Sequence, residues 1–198
     1  PGGAELDTLE DVLMSEAHRG GPGPARLRNA LARTRGEYDL ILIDTPPSRR
    51  SAMVLMALVA ARWIIIPSKS DRSSIEGLRM LGVQSELARG QNPDLEVLGA
   101  VLFDVGSTSH VLRRHALEDM NTVLAGAAPV FESVIRHTES AADSAREAGR
   151  LIHELAEVVY NAEPFWKALK EGRSPNRVPG TAPALAEDYA LLTQEVLE

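Results

Sequence analysis

Tyr38-Asp39-Leu40-Ile41-Leu42-Ile43-Asp44-Thr45-Pro46-Pro47-Ser48 is the stretch on which the reading of this 198-residue chain turns. Four consecutive apolar residues, two of them isoleucine, predict a strand over 40–43 buried on both faces, as parallel sheets require. Asp44 then stands at the strand's carboxyl end, where open α/β sheets place their ligands. Pro46 and Pro47 each fix φ and remove a donor, so the following loop leaves at a defined angle. An isolated Asp-Thr-Pro-Pro is more often a plain turn or helix cap, and the rest of the chain has to arbitrate.

Working outward, short apolar runs alternate with helical periods. Strands are predicted at 40–43, 63–66, 97–102 and 130–134, and helices at 9–14, 25–35, 52–61, 74–89, 109–124, 139–148 and 184–197. Several of the helices open on serine, a residue that caps free N–H groups. Gly20-Gly21-Pro22-Gly23-Pro24 is predicted to be loop. Such alternation gives an α/β fold, a mostly parallel sheet covered by helices on both faces. The expected organisation is one incomplete domain over 1–172, a proline-containing linker over 173–183 and a final helix over 184–198.

Composition narrows the chemistry. With 44% apolar and 25% charged residues the chain suits a single ordinary core. Cysteine is absent, which excludes disulfides and thiolate metal sites and suits the cytoplasm. The five histidines are scattered apart from His110 and His115, and no H-E-x-x-H occurs, so histidine ligation of a metal is not expected. No apolar run is long enough to span a bilayer.

The window around Asp44 resembles the Walker B segment of the ParA/MinD (Soj-like) partition ATPases, and the likeness continues. Residues 63–81, WIIIPSKSDRSSIEGLRML, resemble the family's next strand, its Ile-Pro exit and the helix bearing Glu-Gly-Leu. Residues 92–102, NPDLEVLGAVL, resemble the following strand, and residues 133–148, SVIRHTESAADSAREA, the late strand and helix beside the base pocket. The resemblance implies a P-loop hydrolase fold in which Asp44 holds the Mg²⁺ shell through water. It also implies ATP as the nucleotide, with Thr45, Pro46, Pro47, Phe103, Asp104, Ile135 and Arg136 around it.

One family element is missing. No G-x-x-x-x-G-K-[ST] occurs, and none of the three lysines, Lys69, Lys167 and Lys170, follows a glycine. The chain therefore reads as the carboxyl-terminal portion of a longer protein whose absent part carries the P-loop strand. Alone it is expected to leave an open sheet edge beside its most apolar strand, and to be inactive.

The resemblance further implies an ATP-dependent homodimer that binds DNA without sequence preference, is released on hydrolysis stimulated by a centromere-binding, ParB-like partner, and associates with the nucleoid. Candidate DNA contacts are Arg113, Arg114, Lys167, Lys170, Arg173 and Arg177. A net charge of −7 requires any such surface to be local. Trp166, beside Phe165, is open to base stacking or to packing. Residues 184–198 hold four acidic residues and no lysine or arginine, unlike the basic membrane helix of MinD-like members, so no membrane partner is expected. Three alternatives stay open: a DNA-binding or scaffolding protein of this fold without catalysis, a MinD-like positioning ATPase, and a metabolic relative using the same nucleotide fold.

Overall fold

The computed structural model describes residues 8, 11–13, 15–16, 19, 23–45, 52–106, 110–163, 165–172, 174 and 179–198. Among the described residues, the helices with defined bounds are, in chain order, α1 (Arg26–Leu31), α2 (Ala52–Ala60), α3 (Arg72–Arg89), α4 (His110–Leu124), α5 (Glu139–Ala148), α6 (Ile152–Tyr160), α7 (Phe165–Lys170) and α8 (Ala182–Leu197). The strands are β1 (Trp63–Ser68), β2 (Glu96–Val105) and β3 (Val130–Arg136), in the spatial order β1-β2-β3. Each of the three matches a predicted strand, to within two residues at its start. Gly23–Ala25 forms a 3₁₀ turn where the glycine and proline content predicted loop.

Burial follows position in the sheet. Gly99, Ala100, Val101 and Leu102 of central β2 are all buried, as befits a strand with a neighbour on each edge. Edge strand β1 alternates between exposed and partly buried residues from Trp63 to Pro67, and it tolerates Pro67 because one side needs no ladder donor. β2 and β3 pair in parallel, with a register irregularity between Phe103 and Val105.

The chain divides into two compact units, which split β1 and β2 between them. In the first unit, α2 is apolar on every side and supplies Val54, Leu58 and Val59 to a core shared with Ala88 and Leu95. Asn92 closes this core. It is nearly buried, and its amide donates to the carbonyls of Leu58 at 2.9 Å and Ala61 at 2.5 Å. Those carbonyls lie at the end of α2, where a helix leaves acceptors without intrahelical donors.

In the second unit, α8 packs against α6 and β3. Its Glu195 carboxylate accepts the backbone N–H groups of Glu132 at 2.6 Å and Ser133 at 2.9 Å. One heptad earlier, Asp188 accepts the backbone N–H of Arg136 at 3.0 Å. Two carboxylates on one helix face thus satisfy backbone donors of β3.

One expectation fails. Residues 40–45 carry no strand, and Leu40 and Leu42 are 66% and 86% exposed. Burial on both faces requires a ladder partner and covering layers, and among the described residues the only bridge nearby joins Arg35 to Tyr38. Asp44 consequently follows an apolar run that forms no strand.

Candidate functional site at the strand ends

Asp44 and Thr45, in the first unit, are both exposed. Pro46 and Pro47 lie outside the described residues, as do Arg173 and Arg177. Among the described residues no group of three or more histidine and acidic side chains gathers as for a metal. Asp44 therefore offers one hard oxygen donor, which fits an ion that keeps most of its waters, as Mg²⁺ does.

The second unit brings together a cluster that begins with Asp104. The irregularity between Phe103 and Val105 leaves Asp104 in the left-handed region, at φ 63°. A side chain there is strained by about 1–3 kcal/mol unless its surroundings hold it, and aspartate is among the residues that tolerate it best. Two partners hold it. Lys69 Nζ, just past β1, donates to one carboxylate oxygen, and His137 Nδ1, just past β3, meets the other. The backbone N–H of His137 donates to the Val105 carbonyl at 2.8 Å, locking β3's exit to β2. Lys69 Nζ also lies 5.4 Å from the centre of the Phe103 ring.

These bonds set the charge. Hydrogen bonds from Lys69 and then from His137 hold the Asp104 carboxyl below its ordinary value of 3.8, against a smaller opposing effect of burial. Asp104 is therefore ionised at neutral pH. The unit joins residues from the carboxyl ends of all three strands, the side on which α/β sheets bind ligands.

Arg136, named with Asp104 from the sequence, is gripped by α8. Its Nε and terminal nitrogen donate to the two oxygens of Asp188, each at 2.6 Å. This fork raises the guanidinium's pKa further above its ordinary value. Ile135 is 4% exposed, so its side chain is core.

The remaining candidates do not converge on this cluster. Arg113 donates to the Glu132 carbonyl at 3.5 Å, and Arg114 lies 4.0 Å from Glu118. Lys167 pairs with Glu163 at 3.3 Å, Lys170 is exposed in the last turn of α7, and Trp166 is 66% exposed rather than core.

Sequence reasoning passed over Lys69, His137 and Asp188 as site residues. The first two were within reach, since each follows a strand by the rule that selected Asp104. Asp188 carried no local signal, because its partner is 52 residues away.

The AAA_31 family, described as an AAA domain, matches residues 1–97. The chromosome partitioning protein ParA of Myxococcus xanthus is 39% identical over 112 residues, covering 56% of this chain and 38% of that protein. The chromosome-partitioning ATPase Soj of Thermus thermophilus is 40% identical over 98 residues, covering 49% and 38%. The chain thus spans a little over a third of the length of these curated relatives. Among solved structures, cobyrinic acid a,c-diamide synthase from Mycobacterium smegmatis, with bound ADP and magnesium, superposes with a TM-score of 0.60 at 26% identity, over 90% of this chain and 66% of that one. With the parallel β1-β2-β3 sheet and helices between its strands, these likenesses give the chain a P-loop NTPase-like fold and support its similarity to the ParA/MinD-type partition ATPases.

Proposed function

We propose that this chain is the Walker B and base-side portion of a Mg²⁺-dependent ATPase that partitions DNA. The observation that carries the reading is Asp44, exposed at the end of an apolar run in a chain similar to ParA and Soj. Asp44 would hold the water shell of Mg²⁺, which when bound offsets charge on the phosphates. The strand-end cluster around Asp104 is the base side, and Arg136 is positioned by Asp188. The ADP and magnesium of the mycobacterial synthase support nucleotide use on this fold.

DNA binding, dimerisation and stimulation by a centromere-binding partner belong to the same proposal. Arg113 and Arg114 are exposed on α4 and supply local positive charge for phosphate contacts. Against a MinD-like role, α8 has no lysine or arginine and spends two carboxylates on β3. Among the described residues no helix is long and apolar enough to cross a membrane. The test is ATP turnover in a form of the protein that carries a P-loop. Mg²⁺-dependent hydrolysis that rises with DNA and a centromere-binding partner is expected, and turnover indifferent to both would favour the metabolic alternative.

A further inference from the structure

We propose that His137 reads the nucleotide base, its Nε2 lone pair accepting the exocyclic amine of a 6-aminopurine, with Asp104 as the positioning residue that fixes its tautomer. The assignment rests on reading the strand-end cluster as the base side of a nucleotide site, and adds the atom that selects the base.

Donors and acceptors decide the tautomer. An ionised carboxylate only accepts, so the imidazole nitrogen facing Asp104 must carry the proton. In neutral His137 that nitrogen is Nδ1, which leaves Nε2 bare, on the far side of the ring from Asp104. The side chain is 54% exposed, so a ligand can reach it. Lys69 completes the device. An ammonium group only donates, and it occupies the other Asp104 oxygen, so the carboxylate cannot turn away from the imidazole. The neighbouring cation Arg136 is engaged elsewhere, forked onto Asp188, and the nearest acidic residue along the chain is Glu139, at the start of α5. A bare Nε2 attracts an N–H donor and repels a lone pair. Adenine presents an amine at C6, whereas a 6-oxopurine presents an acceptor there.

Asp104→Asn gives the sharpest test, because it should invert the reading. Lys69 can only donate, so the new amide turns its oxygen to Lys69 and its NH₂ to His137 Nδ1. Nδ1 then accepts and the proton moves to Nε2, which becomes a donor suited to a 6-oxo group. Asparagine also tolerates the left-handed backbone at 104. Nitrogen-15 spectra of the chain would report the tautomer, and titration with adenosine and inosine the preference. The wild type should show the Nδ1-protonated tautomer, a shift at Nε2 on adding adenosine, and about fivefold preference for adenosine, the value of one net hydrogen bond. Asp104→Asn should show the Nε2-protonated tautomer and favour inosine, and His137→Ala should lose the preference in either direction. An Nε2-protonated wild type, or equal binding of both nucleosides, overturns this assignment and leaves the nucleotide reading standing. Failure of adenosine, inosine and ATP alike to bind a P-loop-bearing form overturns both.

Discussion

At the residue scale, Asp44 and Asp104 are two carboxylates in opposite circumstances. Asp44 is exposed after an apolar run that forms no strand, so it carries little of the fold. Asp44→Ala is accordingly expected to shift stability by less than about 0.5 kcal/mol, the usual effect of a surface change. In a P-loop-bearing form the same change should remove Mg²⁺-dependent turnover. A denaturant melt with a phosphate-release assay checks both, and normal hydrolysis would make Asp44 a turn residue. Asp104 is tied to the fold at both oxygens, and its folded pKa is depressed. The stability it contributes is therefore complete above its ordinary value of 3.8 and is lost as pH falls through the lower folded value. Asp104→Asn should be less stable than wild type at pH 7, with the gap closing below pH 3.8. Urea melts at pH 7 and pH 3 measure it, and an equal gap at both would show that the carboxylate's charge contributes nothing.

At the element scale, what could be read ahead of the structure was whatever depends on local pattern. The apolar runs at β1, β2 and β3 and the helical period of α5 were legible, since α5 runs from Glu139 to Ala148 as predicted and ends on Gly149 in the left-handed region. The run at 40–43 misled because composition reports a strand's tendency to be buried, whereas burial needs partners that sequence pattern does not supply. The short helices α6 and α7 went unpredicted, and α8 starts two residues earlier than its period suggested. Nor did any pattern reveal that α8 seals β3, since Glu195 meets Ser133 across 62 residues. That contact has a measurable cost. Burial pushes the Glu195 carboxyl up, but the bonds from Ser133 and Glu132 outweigh it and hold the pKa below the ordinary 4.5. Glu195→Ala leaves two edge N–H groups to solvent and should cost about 1 kcal/mol. Asp188→Ala should cost more, about 1–2 kcal/mol, because Asp188 is 7% exposed and its loss strands a guanidinium, though one 38% exposed and partly screened. Equal losses for the two variants would show that the fork to Arg136 adds nothing beyond the backbone bonds.

At the scale of the whole molecule, the resemblance to the partition ATPases was legible because four segments occur in that family's order. The chemistry of the strand ends was less so, because Lys69, Asp104 and His137 are distant in sequence and meet only through the parallel register. Net charge bears on the remaining question. A molecule at −7 repels DNA on average, so binding must come from a patch held by few cations. Arg113 and Arg114 are adjacent in α4, and neither is locked into a close carboxylate pair, since the nearest partners stand at 3.5 and 4.0 Å. Their charge is available to phosphates. Replacing both with glutamate changes the local charge by four and should weaken binding to unrelated duplexes alike, since phosphate contacts carry no sequence information. The slope of log affinity against log salt should flatten by about 2, near one unit for each phosphate that is no longer neutralised. ATP hydrolysis without DNA should be retained, which separates removal of a surface from collapse of the fold. The measurement is a mobility-shift series across salt concentrations on the ATP-bound, P-loop-bearing form with two duplexes of unrelated sequence. An unchanged slope would return both arginines to ordinary solvated helix surface and favour partition through a different face. Weakening confined to one duplex would contradict non-specific binding itself.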